Sequence, residues 1–212
     1  MQWTLVVPLK PLPQAKSRLA DTADDGLRPG LALAFAQDTV AAALGCPAVR
    51  DVVVVTNDAL AARELAALGA GTLPDLPRAG LNAALVHGAT VVGAARRAAS
   101  VAALNADLPA LRPAELARVL DAAARFPRSF LADSAGLGTT LLAASRGREL
   151  HPQFGVGSRA LHRASGAVEL TLDAVDSVRQ DVDTGGDLRA ALALGVGPRT
   201  AAAAARLPAG QQ

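Results

Sequence analysis

The stretch that most restricts the fold is Asp51 to Thr56, DVVVVT, a nearly unbroken run of valine. Alternating apolar and polar residues would mark a strand with one wet face, whereas a continuous β-branched run marks a strand covered on both. Trp3 to Pro8, WTLVVP, is a second such run, and Ser100 to Asn105, centred on VAAL, is a third. Between them lie helical patterns from about Gly30 to Leu44, from Asp58 to Leu68 and from Gly80-Leu81-Asn82 to about Arg97. Asn57 or Asp58 would cap the second of these, and Gly69 would stop it. Another helix is expected over Arg112 to Ala124, with Pro113 in its first turn. Strands at Gly71–Leu73, Ser129–Ala132, Leu141–Ala144 and Val168–Leu170, and a last helix from about Gly186 to Leu194, complete an α/β pattern. The tail from Gly195 reads as a helical or frayed terminus.

The length of 212 residues fits one domain, 1–212, with a sizeable core. A hydrophobic share of 51% against 19% charged residues excludes a disordered chain. With aromatics at only 2%, the core must be built from Leu, Val and Ala, which suits close helix-on-sheet packing. The 21 basic and 19 acidic side chains leave a net charge of +2, so a general nucleic-acid-binding surface is not expected. One cysteine, Cys46, rules out an internal disulfide and fits a reducing compartment. The start, MQWTLVVPLK, lacks the build of a signal peptide, and no apolar run approaches the roughly 20 residues that span a bilayer. A soluble, cytoplasmic protein with no membrane partner is the expectation.

Three places carry chemistry. In VAALNADLPAL the apolar run stops at Asn105-Ala106-Asp107, and Pro109 keeps the strand from continuing, so a carboxylate stands at a strand's carboxyl end. In open parallel α/β sheets that edge forms the ligand crevice. Far downstream lies Asp181-Val182-Asp183. If extended, this segment would project both carboxylates to one face, roughly 6.6 to 6.8 Å apart, with Val182 anchored in the core. The third place follows the first strand, where Lys10, Lys16 and Arg18 crowd a loop whose Pro11 and Pro13 exclude a helix interior. Carboxylates facing cations suit a hard divalent ion holding a nucleotide triphosphate. On charge alone the basic loop serves equally as a solvated turn, and an isolated DxD is a common surface pattern.

Other features have plainer readings. Gly80-Leu81-Asn82 is an ordinary helix start that also lets a ligand approach the backbone. Asp133-Ser134-Ala135-Gly136-Leu137-Gly138-Thr139-Thr140, a glycine-rich turn flanked by hydroxyls, is a hairpin turn or an anion nest. Ser158 would cap a short helix through Ser165, and His151 and His162 are not assigned as metal ligands. A G-x-x-x-x-G-K-[ST] loop, a G-x-G-x-x-G after the first strand and a Ser-His-Asp order are all missing, which removes support from P-loop, dehydrogenase and hydrolase readings.

Taken in order, VVPLKPLPQAKSRLA, GLNAAL, NADLPAL, DSAGLGTTLL, FGVGSRALH and DVDTGGDL resemble the CofC/FbiD family of guanylyltransferases over nearly the whole chain, Val6 to Leu188. The resemblance implies a three-layer α/β/α sandwich with a mostly parallel sheet, of the nucleotide-diphospho-sugar transferase type. It implies transfer of GMP from GTP to the phosphate of a three-carbon acid in coenzyme F(420) biosynthesis, with phosphoenolpyruvate favoured and 2-phospho-L-lactate or 3-phosphoglycerate as the alternatives. By the same resemblance Asp107, Asp181 and Asp183 ligate Mg²⁺, and Lys10, Lys16 and Arg18 face the GTP phosphates. Lys16, Arg18 and Asp107 are then the expected catalytic groups. Gly80, Leu81 and Asn82 lie beside the guanine nucleotide, and Thr140, Gly155 and Ser158 hold the acid. A transient contact with the next enzyme of that pathway is a further expectation. The first loop departs from the glycine-rich LxGGxGxR form of the wider superfamily. A different nucleotidyltransferase, a GT-A-type sugar transferase and a non-catalytic nucleotide-binding module are the rival readings.

Overall fold

The computed structural model describes residues 2–19, 23, 26–76, 78–96 and 99–207. Seven strands make one sheet: β1 (Trp3–Pro8), β2 (Val49–Val55), β3 (Gly71–Leu73), β4 (Ser100–Leu104), β5 (Arg128–Ala132), β6 (Thr139–Ala144) and β7 (Val168–Glu169). Their order is β3-β2-β1-β4-β6-β5-β7. The pairs β2/β3, β1/β2, β1/β4 and β5/β7 are parallel, and β6 is antiparallel to both β4 and β5. Six strands therefore point one way and β6 alone runs against them.

The helices are α1 (Arg28–Leu44), α2 (Ala59–Ala66), α3 (Leu81–Ala95), α4 (Pro113–Ala123), α5 (Ser158–Ala164), α6 (Asp176–Arg179), α7 (Gly185–Leu194) and α8 (Pro198–Ala204). Strand periodicity divides them between two faces. Leu5, Val7, Val52, Val54, Ala102 and Leu104 pack with Val40 of α1 and with Leu116 and Leu120 of α4. Val6, Val55, Val101 and Ala103 pack with Ala84, Leu85 and Val92 of α3. The valine run thus feeds two cores at once, and the result is the expected α/β/α sandwich. On the α3 side the approach is close: a Cβ at Gly88 would lie 2.6 Å from Val6 Cγ1 and 2.9 Å from Val55 Cγ2.

Most element boundaries fall within a residue or two of their expected places. Asp58 is the cap of α2, accepting the N–H of Ala61 at 3.0 Å. Four features differ from expectation. Residues 181–183 are not a strand; Val182 is nonetheless fully buried, in a core of its own with Leu31, Phe35 and Leu188. Ser158 is the first residue of α5 and not its cap, a place taken by Gly157 in the left-handed region, φ 71°. The helix α6 was not anticipated, because four residues carry no readable period. The α3 helix ends at Ala95, and residue 97 lies outside the described part.

The tail is helical over α8, and residues 208–212 lie outside the described part. Its start is tied to α1 by Asp38, whose carboxylate accepts the N–H groups of Arg199 (3.3 Å) and Thr200 (2.7 Å). Two of the first-turn donors that a helix leaves open are satisfied by a residue some 160 positions earlier. No helix among the described residues is long and apolar enough to cross a membrane.

Candidate active site

Because β6 is reversed, its first residues lie at the same sheet edge as the carboxyl ends of β1, β4 and β5. That edge collects the basic loop after β1, Asn105-Ala106-Asp107 after β4, the Asp133–Gly138 turn, and Thr139-Thr140. The distant 181–183 segment joins them through its backbone, the N–H of Val182 donating to the carbonyl of Asp107 at 3.1 Å.

At the centre is Lys16, whose backbone sits in the left-handed region at φ 58°. A non-glycine residue there is uncommon and is held by its surroundings. Its ammonium is largely buried and contacts Asp107 Oδ2 and, at 3.0 Å, Asp183 Oδ1. Burial works against its charge, but the Asp107 and Asp183 carboxylates prevail and hold its pKa above the usual value. Arg18 is exposed and approaches Asp183 Oδ2 at 3.7 Å. Lys10 is exposed, with no carboxylate partner among the described residues.

Asp181 is the strongest electrostatic signal. Burial pushes its pKa up to about 8, with Asp107, Asp183 and Asp133 raising it further and Lys16 opposing. Asp133, at the head of the glycine-rich turn, is a contributor from outside the expected metal ligands. Its carboxylate closes the β5–β6 hairpin by accepting the N–H groups of Leu137 (2.9 Å) and Gly138 (2.8 Å). The signal available was the Asp at the head of DSAGLG, a common way to cap a turn.

Among the described residues no three His, Cys, Asp or Glu side chains stand in a finished metal cage, and Lys16 takes up part of the carboxylates' capacity. The donor set still fits a divalent cation. Asp107 Oδ1 is buried with no hydrogen-bond partner, and Asp181 is held back from ionising by burial first and by the neighbouring carboxylates second. Both features ask for more positive charge than one ammonium supplies, and an all-oxygen set is what a hard ion takes.

The other expected residues fall in two groups. Thr140 is fully buried, and its hydroxyl oxygen has no partner. Ser158 is also buried, while Gly155 is exposed at φ 131°. Close by is His162, fully buried, its Nδ1 2.9 Å from Thr139 Oγ1 and its Nε2 accepting the N–H of Gln153 at 2.9 Å. Burial, with the Arg128 guanidinium nearby, lowers its pKa to about 4, so the ring is neutral. With Nε2 accepting, Nδ1 carries the proton and donates to Thr139. In the second group Gly80 precedes α3 at φ 92°, Leu81 is half-buried, and the Asn82 amide bonds the backbone of Phe154 twice.

The profile of a family described as "Guanylyl transferase CofC like" matches residues 3–202. The chain belongs to this family. This CofC-like chain is 79% identical over 207 residues to the phosphoenolpyruvate guanylyltransferase of Streptomyces coelicolor, covering 98% of each chain. It is 76% identical to the one from Streptomyces avermitilis, covering 98% of this chain and 96% of that one. Among solved structures, a nucleotidyl transferase from Methanothermobacter is 21% identical, with a TM-score of 0.65 over 91% of this chain and 97% of that one. A nucleotide-diphospho-sugar transferase structure from Desulfovibrio desulfuricans G20 is 16% identical, with a TM-score of 0.63 over 89% and 85%. A Mycobacterium tuberculosis H37Rv protein solved with manganese is 23% identical, with a TM-score of 0.55 over 91% and 99%. At these identities the solved structures establish the fold that the CofC-like chain shares with them.

Proposed function

We propose that this protein is a phosphoenolpyruvate guanylyltransferase, moving GMP from GTP to the phosphate of phosphoenolpyruvate. The observation that carries the reading is the meeting of Lys16, Asp107, Asp181 and Asp183 at one sheet edge, in a chain 79% identical to an enzyme of that name. The product would be enolpyruvyl-diphospho-guanosine, entering coenzyme F(420) biosynthesis in the cytoplasm. Residues 1–212 would act as one catalytic domain.

In this reading an oxygen of the acceptor phosphate attacks the α-phosphorus of GTP, one P–O bond forms, and the bond to pyrophosphate breaks. The attacking oxygen is already anionic, so positioning and charge neutralisation suffice and no protein nucleophile is needed. Asp107, Asp181 and Asp183 would hold Mg²⁺, which when bound supplies charge neutralisation on the triphosphate and orients its oxygens. Lys16, released in part from its carboxylates, and Arg18 and Lys10 at the open side of the loop would stabilise the phosphates and the leaving pyrophosphate. The start of α3 at Gly80 and Leu81 would lie against the nucleotide. The unpartnered Thr140 hydroxyl, the Gly155 backbone and Ser158 would receive the acid's phosphate and carboxylate.

The test is pyrophosphate release from GTP, Mg²⁺ and phosphoenolpyruvate, with 2-phospho-L-lactate and other nucleotides in parallel. Release that requires both GTP and phosphoenolpyruvate is expected. Absence of release with this pair, from folded protein, would overturn the reading.

A further inference from the structure

We propose that Asn82 is a positioning residue for the acceptor loop, Gln153 to Ser158, and not a contact to the nucleotide base. This rests on the reading above that Gly155 and Ser158 receive the acid. The Asn82 amide donates from Nδ2 to the carbonyl of Phe154 at 3.0 Å and accepts the Phe154 N–H on Oδ1 at 2.8 Å. The side chain therefore imitates a neighbouring strand, satisfying both backbone groups of the residue just before Gly155.

Nothing else in the loop takes that role. Residues 150–154 make no backbone–backbone hydrogen bond among the described residues. Side chains hold them instead: Arg128 donates to the carbonyls of Leu150 (3.2 Å) and His151 (3.2 Å), and His162 accepts the N–H of Gln153. Phe154 itself is anchored in the α3-side core, edge-on to the His162 ring at 5.0 Å. Arg128 and His162 come from β5 and α5, on the acceptor side. Asn82 reaches across from the first turn of α3, directly after Gly80 and Leu81.

A segment without a ladder is more easily displaced, because beyond the burial of Leu150 and Phe154 its place is kept by side-chain bonds. Gly155, at φ 131° with open space where a Cβ would be, adds no stiffness of its own. Core burial fixes the Phe154 side chain, and the Asn82 amide fixes its peptide groups and so the direction in which the chain leaves toward Gly155 and Ser158. An amide already committed to both polar groups of a backbone unit is oriented by that unit and not by a base edge.

The experiment measures three quantities on the full-length protein: KM for phosphoenolpyruvate, calorimetric affinity for GTP with Mg²⁺ and no acid, and amide exchange at Gln153–Ser158 without ligand. Asn82→Ala should raise the KM for the acid about tenfold, as expected for losing a positioned hydrogen-bond pair. GTP affinity should stay unchanged, and exchange should quicken at Gln153–Ser158. Asn82→Asp keeps an acceptor for the Phe154 N–H but loses the donor, so it should fall between wild type and Asn82→Ala, and it serves if the alanine variant does not fold. A GTP affinity that drops as far as acid use would make Asn82 a nucleotide contact and overturn the proposal. Unchanged exchange, or quickened exchange with unchanged KM for the acid, would also overturn it. Failure of the wild type to turn over phosphoenolpyruvate would be the failure of the functional reading, while the exchange measurement still decides whether Asn82 holds the loop.

Discussion

The carbonyl of Asp107 accepts the N–H of Val182 at 3.1 Å, and this bond sets two acidic segments 75 positions apart side by side. Val182 is fully buried while its flanking aspartates are only half-buried. The apolar residue fixes the segment, and the carboxylates are left to face Asp107 and Lys16. Carboxylates gathered in this way repel one another when ionised, and in the free protein the gathering is eased by the proton held on Asp181 and by Lys16, the cation that bridges Asp107 and Asp183.

Lys16→Met should therefore destabilise the free protein by about 1–3 kcal/mol, since one ammonium is lost and its carboxylates are left facing each other. Mg²⁺ or Mn²⁺ should recover more of the variant's Tm than it adds to the wild type, and activity should fall. Thermal unfolding with and without the ion checks this; a variant as stable as wild type, or one that gains no more from the ion, contradicts it.

Asp181 gives the protein a pH dependence whose sign is set by its raised pKa. The folded state holds a proton up to about pH 8 that the unfolded chain gives up near 4. Stability of the ion-free protein should therefore fall as pH rises through that window, on the order of 1–2 kcal/mol after solvent screening. Asp181→Asn should flatten this slope and abolish turnover. Denaturant unfolding at pH 5, 7 and 9 measures it, and equal slopes in the two proteins would show that Asp181 ionises freely.

Gly88→Ala tests how closely α3 is seated. Alanine favours a helix over glycine by roughly 1 kcal/mol, but here the added methyl meets Val6 and Val55 at 2.6 and 2.9 Å. Overpacking of this kind costs about 1–3 kcal/mol, so a net loss of about 1 kcal/mol is expected. Weaker GTP binding should accompany it, because the lifted helix carries Gly80 and Leu81. A variant as stable as wild type in urea would mean that the sheet yields to the methyl.

Much of this protein was legible from the chain alone. The runs WTLVVP and DVVVVT announce strands covered on both sides because side-chain alternation and β-branching act over a few residues, and so do the Asp58 cap and the Pro113 start of α4. The candidate carboxylates could also be named, since Asp107 closes an apolar run and Asp181 and Asp183 flank a core valine. Other features required the tertiary structure. The 181–183 segment looked like a strand by alternation, yet it is held by burial of Val182 and one bond to Asp107 instead of a ladder. Asn82 stood beside Gly80 and Leu81 and read as part of their site, but its amide turns to Phe154, 72 positions away. A local pattern specifies the backbone it sits in. The partner of a polar side chain depends on which distant backbone groups the fold leaves without a ladder, and that is decided only when the whole sheet and its loops are assembled.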